Sequence, residues 1–142
     1  MRRPLIPIAL FFCGCLAAGA SASQPKPEDH APGTAVEMPY LIAPLSQDGK
    51  LIAYAYISSR VVASSPSAAI TVRDKTPFIQ DAYVRDVNSL SISDPNDPLH
   101  IDTNALARRL LALSRKSVGG ATVSSVEIIR IQLSQIRLPG GH

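Results

Sequence analysis

Apolar positions in the second half of the chain fall into two periods. Ile79, Tyr83, Val87 and Leu90 recur three or four residues apart, the spacing of one helix face, while Asp81, Arg85 and Asn88 lie opposite. Asp81 stands four residues before Arg85, the favourable order for an ion pair on a helix surface. Ser65-Pro66 and Thr76-Pro77 both have the form of helix starts, because proline in the first turn lacks an amide hydrogen that would be unpaired there anyway. The pattern predicts a short helix from about Pro66 with a kink or restart at Pro77. Asp86 falls on the apolar stripe between Ile79 and Leu90. Edge placement, with its carboxylate in water, is the expected arrangement; burial against an arginine is the alternative. A second helix is expected from Asp102 or Thr103 to about Lys116. Leu106, Leu110 and Leu113 form its buried stripe, Arg108 and Arg115 lie opposite, and Gly119-Gly120 stops it.

The other period is two. Tyr40 to Leu45 is a short apolar run, and Gln47-Asp48-Gly49-Lys50 has the Asp-Gly chemistry of a hairpin turn. Leu51 to Ala63 is a long strand with Leu51, Ala53, Ala55, Ile57 and Val61 on one side and Ile52, Tyr54, Tyr56, Arg60 and Val62 on the other. Thr122 to Ile136 is a closing strand, with Ile129, Ile131 and Leu133 opposed to Arg130, Gln132 and Ser134. Strand, hairpin strand, kinked helix, helix, strand gives an α+β domain over residues 40–138: a small antiparallel or mixed sheet of about three strands with two main helices packed on it. With the helices on one side, the other sheet face is left open. Tyr54, Tyr56 and Val62 on the second strand, and Leu111 pointing away from its own helix stripe, are the candidate interface residues for a protein partner or self-association. The opposite arrangement, with Tyr54 in the core and Ala53 and Ala55 facing water, fits the alternation equally well.

The first residues change what the composition means. Arg2 and Arg3, an apolar run from Leu5 to Ala18 and the small-residue stretch Ala17 to Ser23 make residues 1–22 a secretory signal, with Ala20-Ser21-Ala22 as the cleavage site. An uncleaved anchor is the main rival, though the run is shorter than the ~20 residues of a spanning helix. A lipoprotein reading through Cys15 ranks third, with Phe12 where leucine would be expected. The chain would meet a membrane only if this segment stays uncleaved or is lipidated; otherwise the expected location is periplasmic. The formal charge of +3 comes from 14 basic and 11 acidic residues, and without Arg2 and Arg3 it falls to +1. A basic balance that small points to no nucleic-acid partner. Cys13 and Cys15, the two cysteines, both lie in the signal, so the mature chain is expected to have no thiol for a disulfide, a nucleophile or a zinc site. Residues 23–39, with four prolines and no periodicity, are expected to form a flexible leader, and 139–142 a frayed end.

No motif for catalysis, cofactor or metal binding stands out. The histidines are His30, His100 and His142, and only His100 lies near a folded segment. Asp94, Asn96 and Asp97 could serve calcium, but the glycine and distant glutamate of an EF-hand are missing, and such residues commonly form turns. There is no Walker loop, G-x-G-x-x-G, H-E-x-x-H or C-x-x-C. The expectation is a non-enzymatic protein.

Taken together, a strand ending near Val62, a helix carrying Pro77-Phe78-Ile79-Gln80-Asp81-Ala82, a second helix from Asp102 and a closing strand entered through Val123-Ser124-Ser125-Val126-Glu127-Ile128 resemble the periplasmic domain of the FliL family of flagellar basal-body-associated proteins. The resemblance spans roughly residues 38–135 and rests on apolar spacing. It implies a stomatin-like fold, no cofactor, and a structural role around flagellar stators in support of motility. Members of that family keep an N-terminal membrane helix, whereas this chain begins with a cleavable-looking signal. The alternative is an exported soluble binding or assembly module that shares only the fold. Mass spectrometry of the periplasmic fraction tests the export expectation. A mature protein beginning near Ser23 is expected, and a membrane-bound product retaining Met1 contradicts it.

Overall fold

The computed structural model describes residues 30–137. The signal segment 1–22, the first part of the leader and the terminus 139–142 lie outside the described residues. The domain is α+β: a four-stranded antiparallel sheet and two helices. Its elements in order are β1 (Ala35–Glu37), β2 (Leu41–Gln47), β3 (Lys50–Ala63), α1 (Pro66–Ser89), α2 (Thr103–Val118) and β4 (Val123–Gln135).

Every strand pairs with β3. β1 and β2 follow one another along one edge, with Val36 opposite Val61 and Ala43 opposite Ala55. β4 takes the other edge, with Ile131 opposite Ile57. The sheet is thus three strands wide at any point, as expected, but β1 is an addition. Part of the 23–39 leader is ordered rather than flexible: Thr34, Val36 and Met38 are buried, and the Met38 amide donates to the Ser59 carbonyl. The β2–β3 turn places Asp48 and Gly49 at φ 50° and 75°, the positive pair that Asp-Gly tolerates.

α1 is anchored by Ser65, whose hydroxyl accepts from the Ala68 amide, and it runs without restart through Pro77. The proline deprives the Arg73 carbonyl of its helical donor, but Arg73 is exposed and water can take that place. Ile79, Tyr83 and Val87 are buried as the spacing predicts. Leu90 is 57% exposed, because the helix has ended: its backbone is extended at φ −127° and its side chain has left the stripe. In α2 the buried stripe is Leu106, Leu110 and Ser114, with Leu113 only partly covered. A core serine is tolerated because both its roles are used. Its hydroxyl donates to the Leu110 carbonyl, which leaves the Tyr83 hydroxyl to donate to Ser114 Oγ at 2.5 Å. Burial pushes the Tyr83 phenol up to about 12.

α1 packs on β1, β2 and β3, while α2 packs on α1 and β4, all on one side of the sheet. Ala53, Ala55, Ile57, Ser59 and Val61 of β3 are buried beneath them, together with Leu41, Ala43 and Leu45 of β2.

Asp86 does not sit at a wet edge. Its side chain is 13% exposed and accepts from Arg109 Nε at 2.7 Å. Arg109 also donates to the Ser91 and Leu90 carbonyls, so one guanidinium ties the end of α1 and the following turn to α2. Asp86→Ala is therefore expected to lose about 1.5–3 kcal/mol, the scale of a hydrogen bond to a charged group. Urea unfolding measures it, and a loss below about 0.5 kcal/mol, typical of surface sites, would contradict the assignment.

Candidate interaction surface

The alternation of β3 assigns the two sheet faces. Its odd-numbered residues lie under the helices, so Tyr54 and Tyr56 project from the other side, each 38% exposed. Of the two arrangements the sequence allows, the tyrosine-out one is observed. Ile42 lies opposite Tyr56 and Pro44 opposite Tyr54, while Gln132 and Ser134 of β4 flank the same two tyrosines. Exposed Tyr40 precedes β2. The open face therefore carries an apolar centre of Tyr40, Ile42, Pro44, Tyr54 and Tyr56. An exposed patch of large apolar side chains on a sheet is the usual signature of a binding surface.

Two of the four expected interface residues do not belong to this surface. Val62 points to the open side but is only 6% exposed, because Ala35 of β1 and Ser125 of β4 flank it at a fully paired part of the sheet. Leu111 is partly buried against the core, in the helix layer on the other side of the sheet. Tyr40 and Ile42 were not anticipated, and only a correct β2–β3 register would have revealed Ile42.

An ionic cluster bounds the patch at the β1 end. Arg60 Nε donates to Glu127 Oε2 at 2.5 Å, and His30 lies against Glu127 Oε1. Burial works to raise the Glu127 carboxyl, but Arg60, by hydrogen bond and charge, and His30 outweigh it and hold the group below its ordinary 4.5.

The remaining acidic residues that attracted notice serve the backbone. Asp94 accepts from the Asn96 amide and Asp97 from the Leu99 amide, closing local turns. Asp102 caps α2 by accepting from Asn104 and Ala105. The Ala105 amide is the main reason that its carboxyl lies below the usual range. Among the described residues no group of three or more His, Cys, Asp or Glu side chains is placed to hold a metal ion. No helix among them is long and apolar enough to cross a membrane.

In comparisons with known proteins, no family model matches the chain, and no curated protein sequence is detectably similar to it.

Glu127 makes a pH test. A carboxyl depressed on folding contributes stability that is complete above its ordinary value and is lost as pH falls through the lower, folded one. Wild type is therefore expected to lose more stability than Glu127→Gln as pH drops below the ordinary 4.5. Urea midpoints at neutral and acid pH check it, and parallel losses in the two proteins would contradict it.

Proposed function

We propose that this chain is a non-enzymatic structural protein that holds a protein partner against the open face of its sheet. The observation that carries the reading is the exposed apolar patch around Tyr54 and Tyr56 on a sheet whose other face carries both helices. Tyrosine suits such a surface, since its ring buries apolar area while its hydroxyl keeps a hydrogen bond. Its conspicuous charged side chains support the same reading, being engaged in helix capping, turn closure and ion pairs.

The setting follows from the FliL-like residue pattern: a periplasmic protein near the flagellar basal body or its stators, acting in motility without a cofactor. The second reading is an exported assembly or binding module with another partner. The cleavable form of residues 1–22 favours it, since a stator-associated protein is expected to keep its anchor.

Tyr54→Ser with Tyr56→Ser tests both the surface and the setting. The double variant is expected to fold, by circular dichroism, and to fail to restore soft-agar swimming to a deletion strain that the wild type restores. A deletion strain that swims normally ends the flagellar reading. A folded double variant that restores full swimming contradicts the role of this face.

A further inference from the structure

β4 is an edge strand: β3 occupies one side, and among the described residues no strand occupies the other. Its pairing with β3 is interrupted at the centre, where Ile128 faces Ser59 and Arg130 faces Ser58, leaving Ile129 as an extra residue. That extra residue reverses the alternation. Glu127 and Arg130, opposite Arg60 and Ser58, both lie on the open face, while Val126 and Ile131, opposite Val61 and Ile57, both lie on the helix face. Reading outward from the Ile128–Ile129 bond, the pairs are Ile with Ile, Glu127 with Arg130, Val126 with Ile131, and Ser125 with Gln132. Each pair has matching faces, and the one charged pair has opposite signs.

The backbone has the same symmetry. The Ile136 amide donates to the Ile52 carbonyl, while Ser59, an odd residue of β3, accepts from Met38 on the other edge. Antiparallel pairing alternates, so the amides and carbonyls of Val126 and Ile131 turn away from β3 toward the free edge. Beside that edge Ile128, Ile129, Ile131 and Leu133, with Leu99 and Ile101, line an apolar depression of about 350 Å³. Among the described residues Arg130 takes part in no ion pair.

We propose that β4 pairs antiparallel with β4 of a second copy about a two-fold axis at the Ile128–Ile129 bond, joining two sheets into one. Val126 and Ile131 of the two copies exchange backbone hydrogen bonds. Arg130 of each copy sits beside Glu127 of the other, extending the Arg60–Glu127 pair into a ladder of alternating charge. A parallel pairing would set the helix face of one copy against the open face of the other, and a shifted antiparallel register would lose this charge match. The two apolar depressions meet at the axis, and both exposed edges disappear. This dimer uses the sheet edge and not the tyrosine face, so it stands or falls independently of the proposed partner surface.

Light scattering and sedimentation of the purified full chain test it, with circular dichroism as the check on folding. Wild type is expected at twice the chain mass. Arg130→Glu places like charges opposite each other at two symmetric points and is expected to raise the dissociation constant by about tenfold or more. Ile131→Pro removes an amide that faces only the free edge and is expected to give a folded monomer. If that proline variant fails to fold, the Arg130→Glu measurement decides alone. A wild-type monomer at the highest soluble concentration overturns the proposal, as does a dimer that Arg130→Glu leaves unchanged.

Discussion

Pairing on both edges of β3 is the constraint from which the rest of the molecule follows. One strand carries β1 and β2 on one side and β4 on the other, and none of those three pairs with another. A two-stranded hairpin alone is marginal in water, so β2 and β3 depend on β4 and on the helix layer for stability. Because successive side chains of a strand alternate, the choice that buries Ala53, Ala55 and Ile57 also exposes Tyr54 and Tyr56. The helices then have one face to cover, and they cover it with Val72, Ile79, Tyr83, Leu106 and Leu110. The open apolar face is thus a consequence of the same register that builds the core.

The helix layer is held together by two polar contacts that have no counterpart in the apolar pattern. Tyr83 and Ser114 join the helices inside the core, where each hydroxyl has a partner. Asp86 and Arg109 join them at the rim, where Arg109 also secures two carbonyls beyond the end of α1. Ser114 also donates to the Leu110 carbonyl and Arg109 to the Leu90 and Ser91 carbonyls, so each contact is part of a small network and not an isolated pair. These contacts orient the helices; burial supplies most of the driving force.

Much of the architecture was legible in the sequence, because it rests on local chemistry. Asp48-Gly49 made the turn, Asp102 the cap, Gly119 the stop, and the spacing of Ile79, Tyr83 and Val87 the buried stripe. What escaped was set by distant partners. β1 is three residues among prolines and is a strand only because β3 is there to bind it. Asp86 is read correctly only when Arg109, on another helix, is placed beside it. The open face was half legible: alternation grouped Tyr54 with Tyr56 but could not choose their side. Ile42 was hidden by an irregularity. Counting back evenly from the Asp48-Gly49 turn sets it opposite Ala55, whereas the register shift near Leu45 sets it opposite Tyr56. Val62 followed the alternation and was still buried, since exposure depends on the neighbouring strands as well as on the face.

The central claim is that the helices cover one sheet face and leave the tyrosine-bearing face to water. Tyrosine labelling of the folded protein, located by mass spectrometry, tests it most directly, because the four tyrosines are divided between the two environments. A small tyrosine-directed reagent is predicted to modify Tyr40, Tyr54 and Tyr56 and to spare Tyr83 until the protein is unfolded. Protection of Tyr54 and Tyr56 in the isolated protein, with Tyr83 modified, would contradict the account.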